Sequence, residues 1–467
     1  MKKRIVFVSI FDLTRVFWAI AEGLISAGHT VFWITTNEYW TSWLIERGVS
    51  RNDIQQLVYS NSDFLSLEEK RNLNSEIIES EANAGVTFNQ ALMMDQFVTT
   101  KNKSDINEYL YLYYRDIKRF LIDKNPTHLF AEPTNCNEMI TYMVCKELDI
   151  KFISPRDIRY PAKHMAFFDS YLQKNQLPLP HKNSDSNGQE LIEAFANNKP
   201  TPHYFKKNSA IKALRVSKLI GSMRNRISRR FIESGNGLTH HDLSGRISLA
   251  LKQTFNSFYM KHLCRYDKLE DITNRVAFFA LHVQPEASID VLGSFYSDQI
   301  KLIKDIRRSL PFDTTLIVKE HPNFLGIKNL SFFRKLRRIP NVKQIKFDVS
   351  TFDVYQKTDI IFTVSGTVGY EGGMLGIPVI TFCPMYFGGL SSVHLCEDVT
   401  KIQPLAKKLL NGFKRNYEVD YQFMESLVKK SYPAFWSDPI SNPDVLSNEN
   451  INSLLTAFLK VISRADS

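Results

Sequence analysis

Residues 359–380 read DIIFTVSGTVGYEGGMLGIPVI. Asp359–Val364 is short, apolar and rich in β-formers, so it predicts a strand. Ser365-Gly366-Thr367-Val368-Gly369-Tyr370-Glu371-Gly372-Gly373 then reads as a turn of small residues opening into a helix, and Ile377–Phe382 is a further apolar run. Two earlier stretches have the same form. Val276–Val283 ends in Gln284, Pro285, Glu286 and Ser288, and Thr315–Lys319 ends in Glu320, His321 and Pro322. With helical patterns near Ser297–Ser309 and Leu330–Arg338 and another strand over Val342–Phe347, these runs predict a doubly wound parallel sheet. Ligands of such sheets lie beyond the carboxyl ends of the strands, where all three polar clusters fall.

Working outward, the chain opens with the same grammar. Arg4–Ser9 predicts a strand, Thr14 to Ala27 a helix with Val16, Phe17, Ile20, Leu24 and Ile25 on one face, Gly28 a stop, and His29–Thr35 the next strand. The intervening turn lacks a GxGxxG pattern, so a dinucleotide cofactor is not supported. A polar helical region over 61–124 carries Tyr109, Tyr111, Tyr113 and Tyr114 at spacings that suit core contacts. Strands follow at His128–Ala131, ending in Glu132, and at Lys151–Ser154, ending in Pro155-Arg156-Asp157-Ile158-Arg159. The organisation expected is two Rossmann-like α/β domains facing a cleft: 1–268 and 269–447, with 448–467 as a helix crossing back to the first.

Bulk properties narrow the classes. A chain of 467 residues, 43% hydrophobic, is long enough for two cores. No window approaches 18 uninterrupted apolar residues and the first strand begins at Arg4, which predicts a cytoplasmic protein without a signal peptide. Cys136, Cys145, Cys264, Cys383 and Cys396 form no CxxC pair, and His240-His241-Asp242 has no evident third ligand, so no metal is expected. The net charge of +10 is unevenly spread. Between Thr201 and Ile232 stand nine Lys or Arg and no acidic residue, an imperfectly amphipathic stretch that reads either as peripheral contact with an anionic membrane through 206–230 or as a solvated helix face. The basic residues match no nucleic-acid-reading motif, so no nucleic acid is expected.

The strand-end clusters carry the chemistry. Ser365, Gly366 and Thr367 can hold an anion at a helix start, but no Lys follows the glycines, so this is not a Walker A loop. Glu371, one turn into the helix, suits ribose hydroxyls. Lys319 and His321 share a face of an extended strand and suit a phosphate or a carboxylate, Pro322 ends the ladder, and Gln284 lies in the first cluster. Glu286 suits a base or a nucleophile toward an anomeric carbon, with Asp157 or Glu132 as its partner across the cleft.

The ordered set LHVQPEAS (281–288), VKEHP (318–322), VSGTVGYEGG (364–373) and GIPVI (376–380) resembles the bacterial capsule polysaccharide biosynthesis family, which includes β-Kdo transferases. The resemblance covers about residues 270–390 well and the first domain in outline. It implies a GT-B glycosyltransferase that moves a ulosonic acid from its CMP-activated donor to a capsule or lipopolysaccharide glycan, with no metal or cofactor. His321, Ser365 and Thr367 inherit donor binding, Glu286 the nucleophile's position, where Asp is more usual, and Asp157 the first-domain carboxylate. The longer Glu286 leaves open an inverting base or a different nonulosonic acid. A UDP-sugar transferase or epimerase and a non-catalytic polyanion-binding capsule assembly protein are the alternatives.

Overall fold

The computed structural model of the protein describes residues 2–95, 103–179, 187–200, 243–284, 286–322 and 325–464, without the side chains of 61, 103–105 and 243–250. The basic stretch 201–232, the pair His240-His241 with Asp242, and Pro285 lie outside them.

The first sheet contains β1 (Arg4–Val8), β2 (Thr30–Thr35), β3 (Ile54–Gln56), β4 (His128–Phe130), β5 (Lys151–Asp157), β6 (Met165–Phe168) and β7 (Gln176–Leu177), in the order β3-β2-β1-β4-β5-β6-β7. The first five run parallel, and β6 and β7 add an antiparallel edge. β1 is buried from Ile5 to Val8, and such burial on both faces is why it reads as an unbroken apolar run. Its core draws on the far end of the chain. In the Asn448–Arg464 helix, Phe458 lies 4.7 Å from Phe130, 4.9 Å from Phe167 and 6.1 Å from Phe7. Gly23 of the Leu13–Ser26 helix makes that approach possible, because a Cβ there would lie 2.3 Å from Leu455.

The second sheet is wholly parallel. It contains β8 (Arg275–Ala280), β9 (Thr314–Lys319), β10 (Val342–Ile345), β11 (Ile360–Thr363), β12 (Val379–Thr381) and β13 (Val393–Leu395), in the order β10-β9-β8-β11-β12-β13. Both sheets therefore wind outward in opposite directions from a central pair, β1 and β4 in one and β8 and β11 in the other. This is the doubly wound arrangement of two Rossmann-like sheets, and the central pairs are the crevices where ligands of such sheets bind.

The strand ends fall close to their expected positions, with two informative differences. β8 stops at Ala280, three residues before the end of the apolar run. His282 leaves the ladder and lies buried, where its side chain meets the end of β11. β5 continues through Pro155 to Asp157, because β6 pairs with Ser154–Asp157 on the edge away from β4.

Candidate active site

Two of the three polar clusters are tied to each other. The Nε2 of His282 accepts a hydrogen bond from the backbone N–H of Val364 at 3.1 Å and lies 3.2 Å from Thr363 Oγ1. Burial pushes this imidazole down to about 3, so it is neutral, with Nε2 as the acceptor and the proton on Nδ1. Gln299 secures the same loop by bonding both backbone groups of His282, at 2.9 and 3.1 Å. Gly366 must be glycine here, since a Cβ would lie 2.8 Å from Thr363 Oγ1 and 3.2 Å from His282 Cε1.

The residues expected to hold a donor divide into scaffold and surface. The Gln284 amide donates to Asp290 at 2.9 Å and to the Ser297 carbonyl at 3.0 Å and accepts from Gln299 at 2.7 Å, so its side chain shapes the loop. The Ser365 hydroxyl donates to the Ser288 carbonyl, joining the first cluster to the third. Glu371 is 8% exposed and accepts from the Tyr355 hydroxyl at 2.6 Å, inside the fold rather than at its rim. Burial pushes its carboxyl up to about 7 and the neighbouring Lys319 down to about 8; the Lys319 ammonium donates to Thr351 at 3.3 Å. His321, Pro322, Gly366 and Thr367 are partly exposed at the crest. Burial and the adjacent Lys319 push His321 down to about 4, so at neutral pH it is a neutral N–H donor and adds no charge.

Glu286 is reachable by solvent, yet the surrounding protein desolvates its carboxyl and raises it above the usual range. Ser288 Oγ donates to it at 2.8 Å, and its backbone N–H bonds Asp290 at 3.0 Å, fixing the start of the short helix Ala287–Asp290. Arg159 acts on it electrostatically from the other half of the molecule.

The two first-half carboxylates are used differently. Glu132 pairs with Arg156 at 2.5 Å and accepts from Trp436 Nε1 at 3.1 Å, which ties the chain's closing segment to β5. Asp157 pairs with Arg159 at 3.2 Å, and of the two it is Arg159 that acts electrostatically on Glu286.

Three groups at the crest escaped the sequence reading. His282 sat inside a stretch that looked like strand. Arg159 stood two residues from Asp157 in PRDIR (155–159), a spacing that places both on one side of an extended segment. Lys328 carries no motif, yet it lies within electrostatic reach of Asp290, Glu320 and His282, and burial pushes it down to about 8. Among the described residues no cluster of His, Cys, Asp and Glu is arranged to hold a metal ion, and no helix is long and apolar enough to cross a membrane.

Comparison with known proteins bears on the second half. Residues 243–425 match the family described as capsule polysaccharide biosynthesis protein. No curated protein matches the chain in sequence. Among solved structures, KpsC of Thermosulfurimonas dismutans, a β-Kdo 2,7 transferase, is 11% identical over 75% of this chain and 90% of its own, with a TM-score of 0.35. The β-Kdo 2,4 transferase of the same organism is 11% identical over 72% of this chain and 87% of its own, with a TM-score of 0.32. UDP-GlcNAc 2-epimerase from Neisseria meningitidis is 12% identical over 98% of this chain and 100% of its own, with a TM-score of 0.28. The residues that match this family's description, 243–425, include the whole second sheet and every polar cluster at its crest.

Proposed function

We propose that the protein is a glycosyltransferase that moves a ulosonic acid, Kdo or a related nonulosonic acid, from its CMP-activated form to a capsule or lipopolysaccharide glycan. The observation that carries this reading is Glu286 within electrostatic reach of Arg159, itself paired with Asp157 in the other half, on a loop that Ser288 and Ser365 tie to the Gly366 helix start. A desolvated carboxylate is a better nucleophile than a hydrated one, and a neighbouring cation keeps it ionised.

In this mechanism a Glu286 oxygen bonds to the anomeric carbon as the bond from that carbon to the phosphate oxygen breaks, and CMP departs with the electron pair. An acceptor hydroxyl then attacks the same carbon, its proton passes to Asp157, and the Glu286 carboxylate is released; two displacements retain the configuration. His321 and the backbone N–H groups at Thr367 stabilise the departing phosphate, with Lys319 adding positive charge behind them. Metal is not required, because a helix start and fixed donors supply the electrostatic stabilisation. The basic stretch 206–230 would keep the enzyme at the anionic inner face of the membrane, near a lipid-linked acceptor.

Chromatography of the products formed from CMP-Kdo and a Kdo-terminated glycolipid tests the reading. It predicts release of CMP coupled one to one with glycan extension, both lost in Glu286→Gln. Release of nucleotide from UDP-sugars and not from CMP-sugars would reassign the donor, and no turnover of either would favour a non-catalytic polyanion-binding role.

A further inference from the structure

The turn that follows β5 belongs to the first half by chain but is held by the second. The carbonyl of Ile158 accepts a hydrogen bond from the Tyr386 hydroxyl at 2.7 Å, and the carbonyl of Tyr160 accepts one from the Tyr370 hydroxyl at 2.7 Å. Tyr370 lies in the helix Thr367–Met374 that starts at the candidate phosphate site, and all four residues except Tyr160 are buried. Arg159 sits between these anchors with a φ of 65°, in the left-handed region that non-glycine residues seldom occupy. Such a conformation persists where the surroundings over-determine it, and here the bonds on either side do so. Its side chain is 39% exposed, with one terminal nitrogen 3.2 Å from Asp157.

The helix that anchors this turn through Tyr370 is joined just before its start, by Ser365 to the Ser288 carbonyl, to the loop whose Ser288 hydroxyl donates to Glu286, which sets the Arg159 guanidinium within electrostatic reach of the carboxylate read as the nucleophile. For a neutral sugar that cation would serve only to keep Glu286 ionised. A ulosonic acid differs in bearing a carboxylate on its anomeric carbon, so Glu286 must approach a centre that already carries a negative charge. Two carboxylates that close repel strongly in a desolvated site unless a cation lies between them. A planar guanidinium with five N–H donors suits the task, and a bond to Asp157 is compatible with a second carboxylate.

We propose that Arg159 is a specificity residue that binds the carboxylate of the transferred sugar next to the bond that breaks. This assignment rests on the CMP-ulosonic acid reading above and adds to it the group that selects an acidic sugar over a neutral one. Asp157 then has a second duty, which is to aim the guanidinium.

The test compares CMP-Kdo with its C1 carboxamide as donors for the full-length wild-type protein, Arg159→Gln and Arg159→Lys, with CMP binding measured by calorimetry on each. CMP has no sugar, so its affinity should stay within about twofold in both variants, which also shows that they fold. The wild type should prefer the carboxylate donor in kcat/KM by about 100-fold, Arg159→Gln should lose nearly all of that preference, and Arg159→Lys should keep part of it. Undiminished preference in Arg159→Gln, with CMP affinity intact, overturns the assignment and leaves the transferase reading standing. A rate loss in Arg159→Gln that is equal for the two donors also overturns it, since that is what a residue serving Asp157 alone would give. A wild-type protein that binds no CMP overturns the parent reading, and this assignment with it.

Discussion

The two sheets share their strand order through five strands, yet the helices that begin at their central crevices start in opposite ways. In the first half the Cys136–Glu147 helix starts under carboxylates. Asp95 accepts from the Cys136 N–H at 3.0 Å, and Glu138 accepts from the Thr134 and Asn135 N–H groups at 3.1 and 2.6 Å. Both acids are buried, at 5% and 1% exposure. In the second half the Thr367–Met374 helix starts at Gly366, which has no side chain of its own to cap the turn and whose N–H donates to the neutral Thr363 hydroxyl at 2.9 Å. A helix start attracts an anion whichever half it stands in. The protein covers the first start with its own acidic side chains and sets none over the second, which is where the proposed function seats the donor phosphate.

Breaking this asymmetry should have effects of very different size. The largest is expected at the wall of the open site. Glu286→Gln removes the attacking oxygen's charge without changing shape, so kcat should fall by about 1,000-fold or more while calorimetry finds CMP affinity nearly unchanged. Next comes the floor. Gly366→Ala pushes a methyl group against Thr363 and His282, and CMP affinity should drop by about 10- to 100-fold, whereas Cys136→Ala at the closed site should leave CMP titrations unaltered.

Opening the closed site is a smaller perturbation. Asp95→Ala strips the buried Cys136 N–H of its acceptor, and denaturant melts should show about 1–3 kcal/mol of lost stability with CMP affinity retained. Weakened CMP binding in that variant would mean that the two crevices are not separate in function.

The smallest effect concerns pH. Burial, opposed by its backbone donors, pushes Glu138 up to about 7 from an ordinary 4.5. A raised folded value means that the folded state holds the proton more tightly than the unfolded chain, so stability is complete below about 4.5 and declines as pH rises toward 7. Glu138→Gln has no proton to lose, and thermal melts between pH 4.5 and 7.5 should show a flatter profile than the wild type, with the gap closing at the acid end. Parallel profiles would contradict the burial account of this carboxyl.

Much of the fold was legible because parallel strands buried on both faces leave apolar runs that few other structures produce. Val276–Val283, Thr315–Lys319 and Asp359–Val364 differ from β8, β9 and β11 only at their ends. The antiparallel edge β6–β7 was not seen, since Met165–Phe168 is four residues long and Gln176–Leu177 only two. The site was legible as a place more than as a set of roles. His321, Glu286 and the Gly366 turn stand at the crest, but Gln284 and Ser365 spend their polar groups on other loops, and the sequence could not show this because their partners are 6 to 77 residues away. Nor could it show that Glu132 is engaged by Trp436, 304 residues along the chain, while Asp157 pairs with Arg159.

Isothermal titration of CMP and UDP into the wild-type protein and into His321→Ala tests most directly whether the crest of the second sheet binds the donor. The account predicts that CMP binds, that UDP binds at least about tenfold more weakly, and that His321→Ala loses about 10-fold or more of the CMP affinity. Equal or tighter UDP binding would contradict the CMP assignment, and CMP binding untouched by His321→Ala would contradict the location of the site.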